Sequence, residues 1–219
     1  MWLIRVSLKG VSAMGTKEKI LDVSLELFSQ KGYGNVYVGQ IAEAVGIKAP
    51  SLYKHFRSKR EIFDAILEEM QRRYQETAAG LQMNGQDAGA DGAIFQKVSE
   101  EQLVQMGIGL FRYFLHDEYV RKFRKMLTIE QFADKELGAL LTKQYVEDPI
   151  EYQAQIFEML IAGGLLKGDD PKIMALEFYS PIYMLLTWCD RDPKKEKEAM
   201  GLLESHIKQF NKQYGRKKK

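Results

Sequence analysis

V-G-Q-I-A-E-A-V-G-I-K-A-P-S-L-Y-K-H-F, residues 38–56, reads as two short helices about a tight turn. Ile41, Ala42 and Val45 recur on one face of the first, about Val38–Val45, as a buried helical stripe requires. Gly46 follows where a chain leaving a helix needs a left-handed backbone, which glycine adopts without steric cost. The second helix starts near Ala49, with Pro50 in its first turn, where a missing N–H is harmless. Leu52 and Phe56, four residues apart, point to the core. Ser51, Tyr53, Lys54 and His55 are left outside. A short helix whose outer face carries hydroxyls and positive charge suits a phosphate backbone and the base edges beside it. This is a helix-turn-helix.

The surrounding residues extend the pattern. Lys31-Gly32-Tyr33 ends a preceding helix, Ile41-Ala42 and Gly46-Ile47 flank the turn, and Ser51-Leu52-Tyr53-Lys54-His55-Phe56 is followed by Ser58-Lys59 at the start of a long helix. From about Lys17 to Leu67 the sequence resembles the DNA-binding signature of the TetR family of bacterial repressors. The resemblance implies that Ser51, Tyr53 and His55 meet phosphates and that Lys54 reaches a base edge or a phosphate. Lys48 enters from the turn. Lys59 stands at a helix start, where N–H groups and its own charge favour an anion. Two positions depart from the pattern. Tyr37 stands where a Thr or Ser often caps the first helix, and Gly39 replaces a frequent Arg. A Tyr cannot cap in that way, though its hydroxyl is within reach of a phosphate. The DNA-contact set expected is therefore Tyr37, Lys48, Ser51, Tyr53, Lys54, His55 and Lys59.

Composition bounds the rest. A chain of 219 residues with 45% hydrophobic and 28% charged residues is an ordinary globular protein, not a disordered one. The single cysteine, Cys189, excludes an intrachain disulfide framework and fits a reducing cytoplasm. No apolar run approaches the roughly 20 residues needed to span a bilayer. Charge is polarised: residues 14–60 hold eight Lys and Arg against four Asp and Glu, whereas residues 61–219 hold 22 against 26. One end is suited to a polyanion and the other is not.

The expected organisation is all-α: a flexible extension over 1–13, a three-helix helix-turn-helix domain over 14–60, a helical ligand-binding and dimerisation domain over 61–214, and a basic tail over 215–219. Ile20, Ser24, Leu27 and Phe28 give the first helix its period, from Lys17 to about Lys31. Ser58-Lys59-Arg60-Glu61 is a capping box opening a helix to about Leu81. Met83–Gly92, rich in Gly, Asn and Asp, is expected to be a mobile loop. Ser99 with Gln102 caps a helix to about Leu115. Tyr119–Phe132 places Phe123, Leu127 and Phe132 inside and Arg121, Lys122, Arg124 and Lys125 outside. Asp148-Pro149, Asp170-Pro171 and Asp192-Pro193 each offer a cap followed by a first-turn proline. They predict helices at about 149–163, 171–189 and 193–213, with Pro181 kinking the second.

A repressor of this family needs an effector cavity in its second domain. The aromatic and methionine side chains there are the candidates to line it: Met106, Phe111, Phe114, Met126, Phe132, Tyr145, Phe157, Phe178, Tyr179, Tyr183 and Trp188. The last two long helices would pair with their copies in a homodimer, with Ile173, Leu176, Leu186, Leu202, Leu203, Ile207 and Phe210 in the seam. The histidines, His55, His116 and His206, lie far apart with no ligand spacing, so neither metal nor cofactor is expected. With no P-loop, nucleophile elbow or zinc-hydrolase motif, no catalysis is expected. The expected function is a DNA-binding transcriptional regulator, a repressor released from a palindromic operator by a small molecule. The alternative is an architectural or division-linked DNA-binding factor of the same fold with no effector.

Overall fold

A computed structural model describes residues 15–168 and 170–215. The extension expected over 1–13 lies outside these residues, as does the basic tail beyond Gly215. The described secondary structure is helical, apart from one antiparallel bridge between Leu166 and Gly215.

Helix α1 (Thr16–Lys31) packs Ile20, Leu25 and Phe28 inward and ends at Gly32, whose φ is +83°. Helices α2 (Val38–Val45) and α3 (Ala49–Tyr53) follow, separated by Gly46 in the left-handed region at φ +82°. The Gly46 and Ile47 N–H groups both donate to Ala42 O, at 3.0 and 2.9 Å, which closes α2. Ser58 caps α4 (Lys59–Gly80) by accepting from Glu61 N at 3.1 Å. The expected return bond differs by one residue, because the Glu61 carboxylate accepts from Arg57 N, at 2.5 Å.

The stretch expected as a loop is half helix. Asp87 caps α5 (Ala88–Phe95), accepting from Ala90 N at 3.0 Å. Asp91 is fully buried and gathers the preceding turn by accepting from Asn84 N and Gly85 N, at 2.6 and 2.7 Å, and from the Tyr152 hydroxyl. The glycines, poor helix formers, hid a helix that this carboxylate ties to the preceding turn and to Tyr152.

Ser99 and Gln102 cap α6 (Glu100–His116) reciprocally, as expected. Asp117 caps α7 (Glu118–Glu130). Phe123 and Leu127 are buried, but two expectations fail there. Arg124 is inside, 2% exposed, with Nε and Nη2 on the two Asp190 oxygens at 2.6 Å each and Nη1 on Phe114 O at 3.0 Å. Phe132 falls beyond the helix end and is 94% exposed. Next come α8 (Lys135–Thr142), a π-helical turn (Lys143–Glu147) and α9 (Asp148–Ala162). Asp148 therefore does not cap. The chain stays helical through the wide turn, and Asp148 pairs with Lys143 Nζ at 2.5 Å instead. Asp170 does cap α10 (Pro171–Arg191), and Asp192 caps a 3₁₀ turn (Pro193–Lys195) that leads into α11 (Glu196–Tyr214).

One apolar core runs from Ile20 of α1, through α2, α3 and the first half of α4, to Tyr119, Val120, Phe123, Met126 and Leu127 of α7 and Tyr145 of the π turn. The helix-turn-helix is thus built onto α7. Two smaller cores, centred on Phe157 with Phe210 and on Val104 with Leu203, hold α9, α10, α11 and α6.

Candidate nucleic-acid interface and effector cavity

Leu52 (fully buried) and Phe56 (1% exposed) anchor α3 and fix which side chains face out. Lys48, Tyr53, Lys54 and His55 are exposed and Ser51 is half-buried. Tyr53 keeps half of its surface in solvent and Tyr37, before α2, keeps 70%. Tyr37 uses no side-chain oxygen as a cap; its N–H donates to Gln40 Oε1 at 2.9 Å. Gly39 has nothing within 4 Å of where a Cβ would lie, so α2 presents bare backbone there. Among the described residues, six of the seven expected contact residues thus keep solvent-facing surface around α3.

Lys59 does not belong with them. Its ammonium is turned inward, donating to Tyr33 O at 2.7 Å and Val36 O at 3.0 Å, and sits 4.3 Å from the Tyr33 ring centre. It fastens the α1–α2 connection instead of reaching outward, and burial lowers its pKa against the pull of Glu130. Sequence spacing located the helix start but not two carbonyls 23 and 26 residues upstream. Lys17, which the sequence reading did not single out, extends toward α3, with its Nζ 5.4 Å from the Phe56 ring centre.

The helix-turn-helix is tied to α7 and the residues around it. Glu130, at the end of α7, is buried and accepts from Gly34 N at 2.9 Å. Lys122 of α7 pairs with Glu26 of α1 at 2.8 Å. Arg73 of α4 bridges to Asp117 at 3.3 Å and lies 4.7 Å from the Tyr119 ring centre.

Behind that junction lies a cavity of about 790 Å³. Met106, Phe111, Phe114, Tyr145, Phe157, Phe178, Tyr179 and Tyr183 line it, as expected. Three candidates do not. Met126 is fully buried in the core shared by α1 and α7. Phe132 is in solvent. Trp188 packs beside Leu203 and under Lys195 Nζ, 5.1 Å from its ring centre. Composition named the right residue types, but only the fold says which face each occupies. Met70, Gln71 and Tyr74 of α4 line the cavity and were missed, as were Tyr113, Gln144 and Tyr152. Burial raises the phenol pKa values around it, to about 12 for Tyr145, so these rings stay neutral donors. Tyr179 donates to Tyr145 O at 3.0 Å.

The expected dimer seam divides. Ile173, Leu176 and Leu202 are about half exposed, joined by Met184. Leu186, Leu203, Ile207 and Phe210 are buried within their own chain, and Leu186, Ile207 and Phe210 line the cavity. Helical periodicity marks apolar positions but not whether the chain or a partner covers them.

A helix-turn-helix joined by one long helix to an all-helical domain with an internal cavity defines the class. Residues 20–66 match the family of bacterial regulatory proteins, tetR family, so this stretch is similar to the DNA-binding domain of that family. Two curated relatives agree. The HTH-type transcriptional regulator AcrR of Shigella flexneri is 43% identical over 56 residues, 26% of each chain. The biofilm operon icaADBC HTH-type negative transcriptional regulator IcaR of Staphylococcus aureus strain Newman is 48% identical over 48 residues, 22% of this chain and 26% of its own. The chain thus matches about a quarter of the length of these relatives. Solved structures extend the likeness in fold. SmeT of Stenotrophomonas maltophilia in its triclosan complex is 19% identical with a TM-score of 0.67, covering 93% of both chains. NalD of Pseudomonas aeruginosa is 21% identical with a TM-score of 0.60, covering 93% of this chain and 98% of its own.

Proposed function

We propose that this protein is a DNA-binding transcriptional regulator, a repressor released from a palindromic operator when a small molecule fills the cavity of its second domain. The observation that carries the reading is the outward face of α3, where Lys48, Ser51, Tyr53, Lys54 and His55 are held on a rigid core. Sequence relatives named as transcriptional regulators match over 56 and 48 residues, and one of them is a negative regulator. The fold neighbour SmeT is described as a repressor and was solved with triclosan. The cavity favours an effector-responsive protein over an architectural factor with a solid second domain. Among the described residues no helix is long and apolar enough to cross a membrane, which suits a cytoplasmic DNA-binding protein.

The protein acts as a homodimer, so its operator has two-fold symmetry, with half-sites about one helical turn, roughly 34–36 Å, apart. Effector response follows from shared elements. Met70, Gln71 and Tyr74 face the cavity on the helix that begins just after α3. Val120 faces it on the helix whose end holds Gly34. A ligand that fits better when these side chains move favours a different spacing of the recognition helices. It weakens DNA binding by its differential affinity for the two states.

Selecting bound duplexes from a random pool tests the reading. Enrichment of a two-fold symmetric site, bound in gel-shift titration with strong salt dependence, is expected. Failure to enrich any sequence would overturn the DNA-binding assignment.

A further inference from the structure

Charge around the cavity is one-sided. Among the described residues that line it there is no Lys, Arg or His, whereas Glu100, Asp148 and Glu151 do line it. Two cations beside its wall are engaged elsewhere. Arg124 lies behind the Tyr145 ring and is held by both Asp190 oxygens, and Lys143 pairs with Asp148. Glu100 and Glu151 carry no cationic partner; Glu100 accepts from Asn211 Nδ2 at 2.5 Å and Glu151 from Gln155 Nε2 at 3.2 Å.

Aromatic rings share the remaining wall with aliphatic side chains. Tyr145 and Tyr183 stack at 6.4 Å with 28° between planes, and Tyr179 and Tyr183 stack at 6.3 Å with 12°. Phe157 and Phe210 stack at 5.1 Å with 18°. Ring faces carry partial negative charge and attract organic cations, more strongly where water is excluded. The buried phenols add no positive charge and stay protonated. An anion entering this space would lose its hydration and find no cationic side chain among the described residues that line it.

We propose that the cavity selects lipophilic organic cations, with ring faces around the charge and the Glu100 and Glu151 carboxylates as its counter-ions. This rests on the effector reading above and adds the chemical class of the ligand.

Tetraphenylphosphonium and tetraphenylborate have nearly the same shape and opposite charge. Calorimetric titration of each into the full chain is expected to show at least tenfold tighter binding of the phosphonium. Equal binding, tighter borate binding or no binding of either overturns the proposal. Glu151→Gln, at an exposed position, should weaken phosphonium binding about threefold or more without weakening borate binding. Glu100→Gln added to it should widen that loss. Unchanged phosphonium binding in a folded double variant also overturns the proposal. Release of selected operator DNA is read separately. Phosphonium bound without release sinks the effector reading and leaves the charge preference standing. Release by borate and not by phosphonium does the reverse.

Discussion

At the residue scale, exposure separates side chains that meet a partner from those that hold the fold. The side chains of Tyr53 and Lys54, at the end of α3, are exposed and have no hydrogen-bond or ion-pair partner among the described residues, so removing them costs the fold little. Tyr53→Ala and Lys54→Ala should each weaken operator binding by about 1–3 kcal/mol if the side chain meets a base edge. If Lys54 meets only phosphate, the loss is uniform across sequences and the salt slope falls by about one. Urea midpoints should not move, and unchanged affinity in gel-shift titration would remove α3 from the interface. Arg124 is the opposite case. Its charge is satisfied by Asp190, 66 residues away, and nothing near it in sequence announces that partner. Asp190→Asn leaves a buried guanidinium without its counter-charge and should cost about 3–5 kcal/mol of unfolding free energy in urea titration. Lys59 was misread for the same reason, since a long basic side chain shows its partner only when distant backbone is folded around it.

At the element scale, most helix ends were legible because capping is a local matter. Ser58, Ser99, Asp170 and Gly46 each do within four residues what their chemistry requires. Asp148-Pro149 misled because the same dipeptide is tolerated in a continuing helix when a π turn precedes it. Helix α5 was invisible because the partners of Asp91, among them the Tyr152 hydroxyl 61 residues away, cannot be read from its own stretch. The contact between α7 and the α1–α2 connection was equally illegible, since Gly34 and Glu130 lie 96 residues apart. Gly32 holds φ at +83°, and a Cβ there would collide with Glu130 Oε1. Gly32→Ala therefore suffers both backbone strain and this collision, and should lose more than about 1 kcal/mol of stability. In a Glu130→Ala background the collision is gone and only the strain remains. The cycle of single and double variants should give a coupling of about 0.5–3 kcal/mol. Strict additivity in denaturant titration would mean that Glu130 does not press on this turn.

At the scale of the whole molecule, the two long C-terminal helices have two jobs, which sequence periodicity could not separate. Leu203, Ile207 and Phe210 turn into the chain's own core, while Ile173, Leu176, Met184 and Leu202 are left about half in water. Tyr145, Tyr179 and Tyr183 stand between this outer strip and the cavity, lining both it and a shallow groove that includes Leu176 and Met184. A homodimer that covers the strip would bring ligand, subunit contact and recognition helix into one mechanical chain. The prediction follows from which side chains lie on which side. Leu176→Glu and Leu202→Glu place charge on the outer strip without disturbing the core, so each should yield a folded monomer by light scattering. Leu203→Glu, at 1% exposure, buries the charge in the monomer itself and should unfold the chain. The monomeric variants keep an intact α3, yet each can grip only one half-site. Losing the second, tethered contact removes the gain from effective concentration, about 10²-fold or more in affinity. A folded Leu176→Glu monomer that binds the full operator as tightly as the unaltered protein would show that the two-fold arrangement is not what the DNA reads.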